Sequence, residues 1–168
     1  MESSGLGSNK GYTAAIVVTL VVVASLVAGY YVWVVWLQGP PEGYSTISLL
    51  DANGRAEDYP ELLITGQNNT FNVWVNVENH MGATLPFEVK VKITEQVNPD
   101  FPVNVTEQSL YSVTLENGGK WNTTTTTTID EPGNYMVVYE LWAQDTENGA
   151  LNFTGNACVL NIEVKNQS

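Results

Sequence analysis

The sequence predicts an all-β protein, an immunoglobulin-like antiparallel β-sandwich preceded by a single N-terminal transmembrane helix. Three observations predict it. Between Lys10 and Glu42 lie 31 consecutive uncharged residues, positions 11 to 41. From Tyr44 onward the apolar residues recur with a period of two, the spacing of a half-buried strand. That second region holds seven or eight short runs, as a sandwich requires, and Asn-Gly and Pro-Gly pairs mark turns between several of them.

The first element is the helix. From Ala14 to Leu37 only Thr19, Ser25 and Gly29 interrupt the apolar character. At about 1.5 Å of rise per residue this stretch gives roughly 36 Å of helix, enough to cross a hydrocarbon core of about 30 Å. A buried soluble helix would keep charge on at least one face, and a cleaved signal would have a shorter apolar region ending at a small-x-small site. Here the stretch ends in Tyr30, Tyr31, Trp33 and Trp36, the aromatic belt of a permanent anchor. The expected organisation is a short cytoplasmic N-terminus at 1–11, a transmembrane helix at 12–38, a linker at 39–43 and an extracytoplasmic sandwich at 44–168. Lys10 is the only basic residue near either end, so the N-terminus is expected inside and the C-terminal domain outside the cell membrane, in a single pass. Ala24 with Ala28, and Ser25 with Gly29, set small residues four apart. They are the helix-packing candidates, facing a transmembrane helix of another membrane protein or of a second copy.

Gly39, Pro40, Pro41 and Gly43 separate helix from head. In the head, Phe71, Val73, Val75 and Val77 point one way while Asn72, Trp74, Asn76 and Glu78 point the other. Phe87, Val89, Val91 and Ile93 repeat the pattern against Glu88, Lys90, Lys92 and Thr94. The connection Asn79 to Thr84 between these strands reads as a hairpin. Further strands are expected at 44–50, 62–65, 109–115, 121–129, 134–144 and 157–164. Asn53-Gly54, Asn117-Gly118-Gly119, Pro132-Gly133 and Asn148-Gly149 mark turns between them. The Thr123 to Thr128 run makes a stiff β-branched strand suited to a sheet edge.

Charge and cysteine content bound the partners. The chain has 6 basic and 18 acidic residues, a net charge of -12. All of that excess belongs to residues 42 to 168, with 5 basic and 17 acidic side chains, 5 minus 17 being -12. Nucleic acid and anionic lipid are poor partners for such a surface. Cys158 is the single cysteine, so no intrachain disulfide forms. The setting expected is a prokaryotic cell surface, with Cys158 as a small core residue beside Leu160 and Ile162. Five Asn-x-Ser/Thr sequons follow the helix and none precedes it: Asn68, Asn104, Asn122, Asn152 and Asn166 are the glycosylation candidates.

Reactive chemistry is sparse. A copper site of the cupredoxin kind needs two histidines with a cysteine, and His80 is the only histidine, so His80, Met81 and Cys158 cannot complete one. Asp51, Asn53, Glu57 and Asp58 offer oxygen ligands in one loop, without the spacing of a twelve-residue calcium loop. No nucleophile elbow or phosphate loop is present. No cofactor, metal site or enzymatic activity is expected.

Particular pieces carry a family resemblance. Asn53-Gly54-Arg55-Ala56-Glu57 through Tyr59-Pro60, then Val77-Glu78-Asn79-His80, then Leu115-Glu116-Asn117-Gly118 with Trp121, come in the order and spacing of a recurrent domain. Over most of residues 42 to 145 the chain resembles the extracytoplasmic β domain of an archaeal membrane-protein family, a domain of unknown function. Many members are multi-pass proteins with this domain at the end, whereas this chain shows one helix. The resemblance implies a surface-facing immunoglobulin-like module and supplies no activity. In this frame Gly54 relieves a positive φ, Pro60 sets the start of a strand, Asn79 closes the hairpin, and Trp121 plugs an end of the sandwich.

Three functions fit. The first is a non-catalytic accessory or structural subunit of a membrane or cell-surface complex, held in the lipid bilayer by its helix. The second is a pilin-like filament subunit, since Lys10-Gly11 before a long apolar helix resembles the processing site of archaeal type IV pilins. The third is a carbohydrate- or cation-binding surface module, in which Trp74 and Trp142, opposite the apolar stripes of their strands, are the surface-recognition candidates.

Overall fold

Side-chain alternation after residue 43 and its absence before it accompany a division into two units, Met1–Glu42 and Gly43–Ser168. The computed structural model describes residues 8–37, 43–51, 54–145 and 148–167. Helix α1 spans Ser8–Val32 and widens into a π-helical turn at Trp33–Leu37. The stretch Gly11–Val35 is long and apolar enough to cross a membrane, and among the described residues its window is exposed. The hydroxyls at Thr19 and Ser25 are satisfied within the helix: Thr19 donates to the Ala15 carbonyl at 2.9 Å and Ser25 to the Val21 carbonyl at 2.8 Å. Neither presents an unpaired polar group to an apolar surrounding. Gln38 at the end of the expected span, and linker positions 39–42, lie outside the described residues.

Among the described residues the second unit contains eight strands: β1 Tyr44–Leu50, β2 Leu62–Ile64, β3 Thr70–His80, β4 Leu85–Thr94, β5 Glu107–Leu115, β6 Lys120–Thr128, β7 Gly133–Gln144 and β8 Leu151–Lys165. They form a three-stranded sheet, β1-β3-β6, and a five-stranded sheet, β2-β8-β7-β4-β5. This is an immunoglobulin-like sandwich with Greek-key crossings. Pairing is antiparallel except that β2 lies parallel to β8, a departure from the all-antiparallel expectation. The core fills from both inner faces: Val73, Val75 and Val77 of β3, Phe87, Val89 and Val91 of β4, Val137, Tyr139 and Leu141 of β7, and Leu160, Ile162 and Val164 of β8. Each such side chain, moved fully out of water, contributes roughly 1.5–3 kcal/mol.

The Asn79–Thr84 connection is not a hairpin. β3 belongs to the three-stranded sheet and β4 to the five-stranded one, so the chain crosses the sandwich at Met81 to Thr84. Alternation says which side chains point inward, and both sheets face the same core, so it cannot separate pairing beside β3 from packing across from it. Asn79 decides the geometry. Its fully buried amide donates to Ala83 O and to Leu115 O, both at 2.8 Å, and its Oδ1 accepts from the Met81 amide at 2.9 Å. Its backbone pairs with Gly118 and Gly119. Asn79 thus ties the β3–β4 crossing to the β5–β6 crossing, which lies at the same end of the sandwich.

The threonine run forms β6, an edge strand as its composition anticipates. Thr125 and Thr127 turn inward, where Thr125 donates to Val73 O at 3.3 Å and Thr127 meets the Tyr139 hydroxyl at 3.5 Å. Trp121 is half-buried and packs against the core, as does Cys158. In β8 the register jumps between the Glu140–Ala157 and Trp142–Phe153 pairs. Gly155, at φ +84°, supplies the left-handed residue of that bulge, and Thr154 donates to Leu141 O at 2.9 Å.

Candidate functional site

Outward-facing residues of the two sheets form two unlike surfaces. On the five-stranded sheet, Lys92 of β4 and Glu140 of β7 are 6% and 0% exposed and form an ion pair at 2.8 Å. Residues 95–106, the connection from β4 to β5, fold over them. Lys92 Nζ donates to Val103 O at 2.6 Å, and the Val103 amide donates to Glu140 Oε1 at 2.5 Å. Trp142 donates its indole N–H to Glu140 Oε2 at 3.0 Å. The pair is therefore fully hydrogen-bonded, the condition under which buried charge is tolerated. Lys90 Nζ lies 4.2 Å from the Trp142 ring centroid, and Phe153 packs 5.8 Å away. Trp142 faces outward as its strand parity requires, yet Lys90 and Phe153 already occupy it, and it is half-buried.

Among the described residues of the head, the outer face of the three-stranded sheet is largely exposed. Its outer face carries Ser48 and Leu50 of β1, Asn72, Trp74 and Asn76 of β3, and Asn122, Thr124 and Thr126 of β6. Trp74 is 41% exposed at the middle of this face. Around it the polar side chains pair along the surface: Thr126 Oγ1 donates to Asn72 Oδ1 at 2.7 Å, Asn76 Nδ2 to Ser48 Oγ at 3.3 Å, and the Thr70 and Thr128 hydroxyls meet at 2.9 Å. At one end Glu78 takes Lys120 at 2.7 Å and His80 at 3.3 Å. Hydrogen bonds from Lys120 first, then His80, lower the Glu78 carboxyl from 4.5 to about 2. His80 also stacks on Tyr44 with centroids 4.7 Å apart. It is a half-buried strand residue in a cross-strand pair with Tyr44, not part of a hairpin connection.

The residues weighed for metal chemistry are dispersed. His80 is engaged with Glu78 and Tyr44, Met81 sits in the crossing, and Cys158 lies on β8 with Sγ 3.5 Å from Ile47 O, where burial pushes the thiol up. Asp51 is buried and accepts the Arg55 amide at 2.7 Å, closing the loop on itself, while Glu57 pairs with the Arg55 side chain. Asn53 lies outside the described residues. Among the described residues no three His, Cys, Asp or Glu side chains converge on one point.

All five sequon asparagines are exposed, at Asn68, Asn104, Asn122, Asn152 and Asn166. Asn122 stands on the outer face of β6, Asn104 in the covering connection, and Asn152 on β8, where it donates to Asp145 at 3.4 Å. Ala24, Ser25, Ala28 and Gly29 are exposed along α1. Strand parity places Lys92 on the outward face, and its burial under residues 95–106 depends on a connection that parity does not describe. A signal was present in Glu140, a lone carboxylate inside the apolar run Met136-Val137-Val138-Tyr139-Glu140-Leu141-Trp142.

A family described as a domain of unknown function, DUF1616, matches residues 38–162. The chain belongs to that family. No curated protein matches it. Among solved structures, this DUF1616 chain is similar to the CARDB domain of a Pyrococcus furiosus protein, crystallised in complex with di-metal ions. The TM-score is 0.49 and the identity 16%, over 75% of this chain and 96% of that one. A solution structure of the same domain gives 0.49 and 17%, over 74% and 96%. A β-glucosidase from Listeria innocua is similar at 0.45 and 13%, over 73% of the DUF1616 chain and 16% of the enzyme.

Proposed function

We propose that this DUF1616 protein is a non-catalytic, membrane-anchored accessory or structural subunit of a membrane or cell-surface complex. Its N-terminus is inside and its immunoglobulin-like domain outside. One observation carries the reading: an apolar helix spanning Gly11–Val35 whose side chains are exposed rather than packed into a core, among the described residues. Such a surface is stable only against lipid or other apolar helices. The small-residue positions Ala24, Ser25, Ala28 and Gly29 are where a partner helix approaches most closely. Five exposed sequon asparagines in the head agree with an exported, glycosylated domain.

Purification of the full chain from membranes in a gentle detergent tests the reading. A co-purifying protein whose association is weakened by Ala28→Leu supports it, because the added bulk holds the helices apart. A monomer with no companion refutes it. Mass spectrometry of the mature N-terminus separates it from the pilin alternative: a chain that retains residues 1–11 is not processed after Gly11.

A further inference from the structure

We propose that Asn122 carries an N-linked glycan whose first sugars pack on the indole of Trp74, covering the bare face of the three-stranded sheet. The proposal rests on the exported-head reading above, because glycosylation needs the head on the far side of a membrane. Register supplies the geometry. Asn122 is the cross-strand partner of Asn76, and Trp74 that of Thr124, all on the outer face. Asn122 is therefore the diagonal neighbour of Trp74, about 7–8 Å away between Cα atoms. A pyranose joined at Asn122 Nδ2 stands off β6 by one side chain and leans across onto the indole.

Chemistry of the surroundings fits a sugar. A pyranose has an apolar C–H face and a rim of hydroxyls. Trp74 offers an exposed apolar plane, and Ser48, Asn72, Asn76 and Thr126 ring it with donors and acceptors. Between Asn122 and Thr128 the outer face of β6 holds no charge, in a chain whose net charge is -12. β6 is an edge strand, and among the described residues the Asn122 side chain makes no hydrogen bond, so Nδ2 is open to a transferase. In the transfer, Nδ2 bonds to the anomeric carbon of a lipid-linked diphosphate oligosaccharide. The anomeric C–O bond breaks, the lipid diphosphate leaves with the electron pair, and Nδ2 loses one proton. The other four sequons lack this arrangement, since none of their asparagines stands beside Trp74 in the ladder.

The test is full-length chain made in a eukaryotic secretory host, purified in detergent and compared with chain from a non-glycosylating bacterial host. Glycopeptide mass spectrometry is expected to find Asn122 occupied. Asn122→Gln is expected to lower the melting temperature of the glycosylated chain by about 2–4 °C and to leave the bacterial chain unchanged. In a Trp74→Thr background the Asn122→Gln shift disappears, and in Trp74→Phe it is retained. A bare Asn122 with other sequons occupied overturns the inference and leaves the exported head standing; five bare sequons overturn both. An Asn122→Gln shift equal in wild-type and Trp74→Thr chains overturns the packing of the sugar on the indole.

Discussion

The outer faces of the two sheets start from the same pattern and end as opposites. In both, alternate residues are polar and point away from the core. On the five-stranded sheet residues 95–106 close over that polar row, and Lys92 and Glu140 become a buried pair. On the three-stranded sheet no described segment of the head closes over Asn72 and Trp74, which stay exposed beside the half-buried Asn76 in a neutral plane. A polar residue on a strand is thus a statement about direction and not about solvent. Whether it meets water depends on the length and anchoring of a connection elsewhere.

The largest effect expected from breaking this contrast lies under the covering connection. Lys92→Met leaves Glu140 buried without its partner and is expected to destabilise the head by about 3–5 kcal/mol, whereas Lys92→Met with Glu140→Leu recovers most of that loss. Chemical unfolding of the full chain in detergent measures both. Equal losses in the single and double variants would mean that the pair does not act as a unit.

Next comes the corner that joins the sheets. Asn79→Ala removes two donated hydrogen bonds and leaves the Ala83 and Leu115 carbonyls without that donor, at a cost of about 2–3 kcal/mol. Asn79→Asp keeps the acceptor for Met81 and loses the donors, so the same unfolding measurement should show it close to Asn79→Ala.

A smaller effect is confined to acid. The Glu78 carboxyl sits at about 2 in the fold against an ordinary 4.5, held down mainly by Lys120. A depressed carboxyl stabilises the fold fully above its unfolded value and stops doing so as pH falls through the folded one. Stability from this pair should therefore be present at neutral pH and fade from about pH 4.5 toward about pH 2. Lys120→Met should flatten that part of a pH-dependent melting curve. An unchanged acid limb would assign the acid sensitivity to other carboxylates.

The smallest effect belongs to the bare face. In chain lacking glycan, Trp74→Thr should change stability by no more than about 0.5 kcal/mol, because it exchanges one exposed β-former for another. A loss comparable to that of Lys92→Met would show that Trp74 supports the fold.

Much of the architecture was legible residue by residue. β1 occupies Tyr44–Leu50 as expected, and the other strands differ from expectation mainly by extension at their ends. The outward direction of Trp74 and Trp142, and the edge position of the threonine run, followed from parity and composition. Less legible were the fates of those outward residues. Trp142 is occupied by Lys90, Glu140 and Phe153, one of them from β8 and brought opposite by a bulge centred on Gly155. No local window contains both strands, so no local reading could separate Trp142 from Trp74.

Sequence alone determined an uncharged helix long enough to cross a membrane, an acidic head of short strands, and which side of each strand is apolar. These are properties of period and composition, which a chain carries before it folds. Tertiary structure decided which sheet each strand joins, that β2 runs parallel to β8, and which polar face stays open. Those choices depend on the Asn79 corner, the β8 bulge and the reach of residues 95–106, hydrogen bonds between positions far apart in the chain whose partners meet only when both sheets are in place.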